Sequence, residues 1–415
     1  MLIPRSRAPL AVAALVAFAS ACSTDSSITS LKTPGAASLN ESEGRGVFQR
    51  YTAIGTSISM GVQSDGVNAE TQATSWPAQL AAMGHRTITQ PLIALPGCPA
   101  PIVAPLILNR RSSGEPAIGG TSPLNCSSLL PGVQLPVDNV AINGALTTDA
   151  LLTTPEATSD PVYSRVLQPH HTQVSTMLEN DPKIVSVELG VNEVLGARSG
   201  IAIPGVTLVP VATWAQAYDQ VLDAVQSTTK MAVLVGLPND VRNFPSLRTG
   251  SELWADAAEF LHANIALLPN CQSNSNEIFV PIKVGLALVA AAQAAALHLG
   301  PIPFSCAAGA PTDQDLVLTP TEVGIVNGQI AAMNAHIQSQ AVNRGFAYFS
   351  LGALYDLPSV KPPFSLAATF LGTSPFGPLM SNDGVHPSAA GSAIIAAAAA
   401  NAINAKYDLG IPVQQ

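Results

Sequence analysis

The chain has 415 residues, more than the ~100–200 residues of a usual single domain. Hydrophobic residues make up 47% of it and charged residues 11%, so a large buried core can form. The formal net charge of −9 excludes the basic surface that nucleic-acid-binding proteins require. We therefore expect either two domains or one domain with large insertions.

The N-terminus has the pattern of a secretory signal. Two arginines precede an apolar run over residues 10–18, which is too short to span a bilayer, and small residues follow. Ordinary signal-peptidase cleavage and lipoprotein processing with acylation of Cys22 both fit. We favour the lipoprotein, because the odd fifth cysteine then has a role. The sequence predicts a signal peptide over 1–21, a flexible tether over 22–45, and a chain that is secreted or held in the cell envelope by a lipid in the membrane.

Four further cysteines lie in segments rich in Pro, Gly, Ser or Asn, which is typical of an exported protein with disulfides. Four cysteines allow three pairings. We favour the sequence-local one, Cys98 with Cys126 and Cys271 with Cys306, and expect each bond to stabilise the fold by ~3–4 kcal/mol. No cysteine or histidine spacing is typical of a zinc site, and we predict no metal.

Between the two ends, strands and helices alternate, and polar residues follow the strands. A short strand over 51–54 leads into Gly55-Thr56-Ser57, an apolar alternation from Val137 ends at Gly144, and a β-branched run over 183–190 leads to Asn192. Further strands are predicted over 231–236 and 346–349. Helices are predicted over 76–84, 166–179, from a cap at Thr213, over 319–345 and over 387–405.

This alternation predicts a parallel sheet with helices on both faces. In such sheets, binding sites lie beyond the carboxyl ends of the strands. We therefore expect Ser57, Gly144 and Asn192 to gather at one edge of the sheet, with the Ser57 hydroxyl as a candidate nucleophile.

A candidate base is found near the C-terminus, in the sequence Asn382-Asp383-Gly-Val-His386. A carboxylate three residues before an imidazole can accept the ring N–H, fix the tautomer and stabilise the imidazolium. Each motif is weak alone, because Gly-Thr-Ser and Asn-Asp-Gly are also common turn sequences.

Taken in order, these stretches resemble the SGNH or GDSL hydrolase family from Phe48 to about Ala405. The four matching blocks are Gly55-Thr-Ser57-Ile-Ser59, Asn139-x-Ala141-x-x-Gly144, Gly190-Val-Asn192-Glu193 and Asp383-x-x-His386. The resemblance implies a three-layer α/β/α sandwich with a flavodoxin-like parallel sheet. It also implies a single domain over 46–410, with insertions at about 95–135 and 239–319.

The resemblance further implies the role of each site residue. Ser57 is expected to be the nucleophile, His386 its base and Asp383 the residue that orients the base. The N–H groups of Ser57 and Gly144 and the side-chain amide of Asn192 are expected to form the oxyanion hole, with no metal or organic cofactor. An activated serine and pre-placed hydrogen-bond donors are what acyl transfer needs.

Two positions depart from the family motifs. Thr56 stands where the motif has Asp, and Glu193 stands where the GxND block has Asp. Neither position carries the proton relay or the oxyanion contact, so we expect changed loop geometry rather than lost activity.

The expected activity is hydrolysis of carboxylic esters of small molecules or lipids, as in esterases and lipases, through an acyl-enzyme. Two alternatives remain open: an O-deacetylase acting on carbohydrate or envelope polymers, and a surface lipoprotein that only binds. In the second insertion, the apolar run over 278–299 fits either a lid over an acyl pocket or a buried helix that extends the core.

Overall fold

The computed structural model describes Gly44, residues 46–119 and residues 125–413. The predicted signal peptide over 1–21, the lipidation site Cys22 and, apart from Gly44, the tether over 22–45 lie outside the described residues. Among the helices of the described part, none has both the length and the apolar character needed to cross a bilayer.

The strands that the structure describes run in chain order as β1 (Tyr51–Gly55), β2 (Ile184–Glu188), β3 (Ala232–Gly236), β4 (Leu247–Thr249), β5 (Ile265–Leu267), β6 (Glu277–Phe279), β7 (Ile302–Phe304), β8 (Val317–Leu318) and β9 (Ala347–Ser350). The central sheet is parallel, in the order β1-β2-β3-β9.

An irregular segment adds a further position to this sheet beside β1. The Ala53 N–H donates to the Asp138 carbonyl (3.0 Å), and the Ile142 N–H donates to the Gly55 carbonyl (3.0 Å). With this segment counted second in the chain, the spatial order is 2-1-3-4-5, which is the flavodoxin-like order. β1 therefore lies at the point where the strand order reverses, which is where such sheets place their sites.

The α-helices in the described residues are α1 (Ser57–Met60), α2 (Ala69–Ala73), α3 (Trp76–Met83), α4 (Thr147–Leu152), α5 (Pro161–Val166), α6 (Gln173–Glu179), α7 (Asn192–Leu195), α8 (Val211–Thr228), α9 (Gly250–Ala255), α10 (Ala257–His262), α11 (Val280–Ala296), α12 (Pro320–Arg344), α13 (Gly352–Tyr355), α14 (Leu366–Leu371) and α15 (Ala389–Tyr407). Short 3₁₀ turns join some of them, including Leu106–Leu108 and Gly196–Ser199.

Helices cover both faces of the central sheet. Side chains alternate along each strand, so Ile54 packs in the core cluster under α6, α8 and α12, whereas Tyr51 and Ala53 pack in the cluster under α3 and α15. Every residue of β1, β2 and β3 is buried, as expected for a parallel sheet covered on both faces. The predicted three-layer α/β/α architecture is confirmed.

The second insertion builds a smaller core of its own. It contains the antiparallel sheet β4-β6-β8 and the parallel pair β5-β7, which pack with α11 around a third apolar cluster. The predicted disulfides Cys98–Cys126 and Cys271–Cys306 are both present. Each bond therefore closes one of the two insertions, as the sequence-local pairing requires.

Two helix starts differ from the prediction. The helix expected over 166–179 is split, and α6 begins at Gln173 because Thr172 caps it, accepting the Ser175 N–H at 3.1 Å. The helix expected from a cap at Thr213 begins at Val211, directly after Pro210, so Thr213 lies in the first turn. In both places a proline shortly before the helix (Pro169 and Pro210) restricts where the helix can begin.

Candidate active site

Ser57 is the first residue of α1, directly beyond the carboxyl end of β1. The turn is tight: a Cβ atom on Gly55 would lie 2.5 Å from the Ser59 Oγ, so glycine is required there. A short helix after a buried strand is what brings the Ser57 hydroxyl to the edge of the sheet.

The three predicted catalytic side chains meet in one hydrogen-bonded row. The Ser57 Oγ lies 2.9 Å from the His386 Nε2, and the His386 Nδ1 lies 2.7 Å from the Asp383 Oδ2. All three residues are buried. The row is that of a nucleophile, a base and a carboxylate that orients the base.

The Asp383 carboxylate is held by main-chain donors. Its Oδ1 accepts the N–H groups of Val385 (2.8 Å) and His386 (2.9 Å), and its Oδ2 accepts the N–H of Asp65 (2.5 Å). Burial alone would raise the pKa of Asp383, but the charge and hydrogen bonds of His386 outweigh it and lower this pKa to about 2. Asp383 therefore stays ionised over the working pH range.

The His386 imidazole is shifted in the opposite direction. Burial lowers the pKa of His386, whereas the charge of Asp383 and its hydrogen bond raise it, with further contributions from the charges of Asp65 and Glu188. The net effect raises the pKa of His386 above its ordinary value, because the imidazolium is stabilised by its carboxylate partner.

Asp65 and Arg111 are parts of the site that sequence analysis missed. The buried Arg111 guanidinium contacts the Asp65 carboxylate (2.5 Å) and donates to the carbonyls of Asp65 (2.8 Å) and Ala100 (2.8 Å). Arg111 thereby fixes the loop whose N–H binds Asp383. It comes from the first insertion, and no sequence motif links it to the catalytic residues.

The other two predicted site residues lie beyond the two neighbours of β1. Gly144 ends the segment beside β1 and has a φ of +78°, a conformation that favours glycine. Asn192 begins α7 after β2, and its Nδ2 donates to the Ala145 carbonyl at 2.8 Å. The structure thus joins the Gly144 loop to the Asn192 helix at the sheet edge that carries Ser57.

Glu193, the second departure from the family motifs, reinforces this junction. Its buried carboxylate accepts the Thr147 N–H, at the start of α4, at 2.6 Å. Burial raises the pKa of Glu193, and the hydrogen bonds from Thr147 oppose that rise. Glu193 therefore connects the same two loops as Asn192 and has a structural contact of its own.

A second missed residue, Glu188, lies under the Ser57 turn. It ends β2 opposite Gly55 in the sheet register, and only 1% of it is exposed. Its carboxylate accepts the Thr56 N–H (3.0 Å) and the Ser59 N–H (3.2 Å). The sequence does contain a signal for this residue, because Glu188 is a charged residue within the apolar run over 183–190. A buried glutamate needs hydrogen-bond partners, so its position in that run points to a structural role.

A pocket of about 300 Å³ opens beside the catalytic row. Asp65, Asp383 and His386 lie at its polar end, and its other walls are mainly apolar, including Ile102, Leu106, Ile118, Phe279, Ile282 and Phe370. A smaller apolar cavity of about 60 Å³ adjoins it and shares the walls Leu195, Phe279 and Val385. The arrangement suits a ligand with an apolar chain whose reacting group reaches His386.

The run over 278–299 contributes to this pocket and to the core. Pro281 and Ile282, in the first turn of α11, line the pocket. Further along the helix, Val284, Leu288 and Ala291 are buried in the third core cluster. The helix is therefore both a wall of the pocket and a core element.

Comparison with known proteins gives a family. The model of the GDSL-like lipase/acylhydrolase family matches residues 51–399. No curated protein sequence matches the chain. An extracellular lipase from Streptomyces rimosus is 15% identical, with a TM-score of 0.37, and the match covers 86% of this chain and 98% of the lipase. A protein described as a GDSL-like lipase from Parabacteroides merdae is 10% identical, with a TM-score of 0.34, and that match covers 86% of this chain and 95% of its own. Because the family model matches most of the chain, the chain belongs to the GDSL-like lipase/acylhydrolase family and is, at the level of that family, an ester hydrolase.

Proposed function

We propose that the protein hydrolyses carboxylic esters with an apolar acyl chain through an acyl-enzyme on Ser57. The observation that carries the proposal is the row from Ser57 Oγ through His386 to Asp383, with distances of 2.9 and 2.7 Å. His386 and Asp383 of this row line one end of a mainly apolar pocket. A serine hydroxyl becomes a good nucleophile only when a base takes its proton, and this row supplies the base.

In the acylation step, the Ser57 Oγ attacks the ester carbonyl while its proton moves to the His386 Nε2. Asp383 accepts the Nδ1–H and stabilises the imidazolium. The carbonyl oxygen becomes an anion, and the N–H groups of Ser57 and Gly144 and the Asn192 amide would donate to it. The first N–H groups of a helix have no acceptor within that helix, which leaves the Ser57 N–H available. Collapse of the intermediate breaks the ester C–O bond, and His386 returns the proton to the leaving alcohol.

In the deacylation step, water replaces the alcohol. His386 takes a proton from the water, whose oxygen attacks the acyl carbon, and the same donors stabilise the second oxyanion. The bond to Ser57 Oγ then breaks, the proton returns to Ser57 and the carboxylic acid leaves. With the ester and one water as reactants, the two steps balance.

The lining of the pocket supports the choice of acyl chain. Most of the walls beyond His386 are aliphatic or phenyl side chains, with Asn109, Arg198 and Asn382 as the polar exceptions. The adjoining cavity continues the apolar surface past Phe279 and Val385. Each buried methylene contributes about 0.8 kcal/mol, roughly fourfold in binding. An acyl chain that fills both spaces is therefore favoured over acetate.

An ester series tests this proposal. With p-nitrophenyl esters from acetate to laurate, we expect kcat/KM to rise with chain length until the pocket is full. Ile282→Trp should shorten the preferred chain, because it fills a wall of the pocket, whereas Ile325→Trp on the half-exposed face of α12 should leave the preference unchanged. Activity confined to acetyl esters would contradict the apolar-chain proposal and favour an O-deacetylase.

The pH dependence of kcat/KM provides an independent test. Only neutral His386 can accept the Ser57 proton, so activity is lost as the pH falls through the pKa of His386. Because this pKa is raised, we expect the midpoint of the acidic limb above about 6.5, the ordinary value for histidine. Asp65→Asn removes a negative charge that raises this pKa and should move the midpoint to lower pH. A wild-type midpoint below the ordinary value would contradict the Asp383–His386 ion pair.

A further inference from the structure

The turn that presents Ser57 is held by a carboxylate from a different strand. Glu188 accepts hydrogen bonds from both sides of the nucleophile: from the Thr56 hydroxyl (2.9 Å to Oε1, 3.0 Å to Oε2) and from the Ser59 hydroxyl (3.0 Å), in addition to the two main-chain N–H groups. The Trp76 indole N–H also donates to the Ser59 Oγ, at 3.1 Å. Residues 56 and 59 are thereby fixed on one oxygen pair, with Ser57 between them.

The geometry explains why Thr56 is tolerated where the family motif has Asp. Thr56 is the N-cap of α1, and an aspartate at an N-cap accepts the N–H two or three residues further on. Here the corresponding N–H, that of Ser59, is already bound by Glu188 at 3.2 Å, and the Thr56 side chain makes no cap bond. In this protein the carboxylate that binds the Ser59 N–H therefore belongs to Glu188 on β2 and not to residue 56 in the turn.

Glu188 is placed to act through this turn rather than on the substrate. Its carboxylate is buried and does not line the catalytic pocket. Among the described residues it forms no salt bridge, and its partners are hydroxyl and N–H donors. Burial raises the pKa of Glu188, and these hydrogen bonds oppose that rise. Breaking the hydrogen bonds of a buried carboxylate with four donors costs free energy, because the carboxylate would be left unsatisfied. Glu188 therefore holds residues 56 and 59 in fixed positions.

We propose that Glu188 is a positioning residue that fixes residues 56–59 and thereby aims the Ser57 hydroxyl at His386, in place of the aspartate that the family motif carries at position 56. This inference rests on the proposed acyl-enzyme function. It predicts that the roles of positions 56 and 188 can be exchanged, since either position can supply the carboxylate that binds the Ser59 N–H.

The test is a cycle of three variants. Glu188→Gln presents an amide to N–H and O–H donors, so we expect kcat to fall ~100-fold, as for a misplaced nucleophile, with little change in KM because the pocket is untouched. Thr56→Asp alone places two carboxylates in one buried space and should also lower kcat. In the double variant, the new carboxylate at position 56 can cap the Ser59 N–H and accept from the new amide at position 188. The kcat of the double variant should therefore recover by at least ~10-fold over either single variant.

Glu277→Gln is the matched control, because Glu277 is an equally buried glutamate in the antiparallel sheet of the second insertion. We expect it to change the melting temperature but not kcat. If Glu188→Gln fails to fold by circular dichroism, Thr56→Val replaces it. This variant removes one hydroxyl donor to the carboxylate and should lower kcat about tenfold.

The reaction rate with a fluorophosphonate probe distinguishes a failure of the acyl-enzyme proposal from a failure of the positioning role of Glu188. A wild-type protein that does not react with the probe would contradict the acyl-enzyme proposal itself. A wild type that reacts, together with a folded Glu188→Gln or Thr56→Val protein that reacts equally fast, would overturn only the positioning role. A double variant no faster than the single variants would also overturn it.

Discussion

Ser57→Ala is expected to hydrolyse p-nitrophenyl esters about 10⁶-fold more slowly than the wild type, which is the loss measured when a well-studied serine protease lacks its nucleophile. The variant retains the pocket, His386 and Asp383, so substrate can still bind. It lacks the only hydroxyl that lies within hydrogen-bond distance of the His386 Nε2 in the described residues, at 2.9 Å. Initial rates at saturating ester, with a correction for spontaneous hydrolysis, measure the loss.

Labelling identifies the reacting atom directly. A fluorophosphonate probe should add its mass to the peptide that contains Ser57 in the wild type and leave Ser57→Ala unlabelled. Ser227→Ala, at an exposed helix position, serves as the matched control and should react like the wild type. If the wild type remained unlabelled and inactive, the alternative of a protein that only binds would be favoured.

Asp383→Asn is expected to lower kcat about 10⁴-fold, the effect of the equivalent change in a serine protease. The aspartate Oδ2 accepts the Nδ1–H of His386, which leaves Nε2 free to take the Ser57 proton. An asparagine amide can instead donate to Nδ1. The proton then lies on Nε2, and that nitrogen can no longer act as a base.

The melting temperature distinguishes this tautomer effect from a loss of structure. Asparagine keeps one oxygen that can still accept the N–H groups of Val385 and His386, so the loop should remain folded. Asp313→Asn, at an exposed carboxylate, is the control for the loss of one charge. If Asp383→Asn retained more than about a tenth of the activity, Asp65 would become the candidate for the orienting carboxylate.

The sequence predicted the candidate site best where a site residue follows directly after a predicted strand. Ser57, Gly144 and Asn192 each follow an apolar run, and the ends of adjacent parallel strands must meet, so their proximity could be predicted. Asp383 and His386 are three residues apart, a spacing that allows them to pair, and the ordered set of family blocks made this weak signal specific. The sequence-local disulfides, favoured among three possible pairings because the cysteines lie within two insertions, are the ones that form.

The parts that could not be predicted depend on contacts between distant segments. Glu188 and Thr56 are 132 residues apart, and Arg111 and Asp65 are 46 residues apart. No periodicity or motif connects such pairs, because their meeting is decided by strand register and by the path of an insertion. The split before α6 had a local cause, a Thr172 cap, which competed with an apolar pattern that suggested one longer helix.

Under the proposed mechanism, the positions of the site residues along the sequence also determine when activity can appear during synthesis. Ser57, the proposed nucleophile, lies just beyond the end of β1, but His386, its proposed base, lies 329 residues later, in the loop before α15. A chain that ends before Asn382 can contain Ser57, Gly144 and Asn192 and still have no group to take the serine proton. Under the proposed mechanism, ester hydrolysis therefore requires that the final segment has been synthesised and has docked on the sheet, and incomplete chains should be inactive.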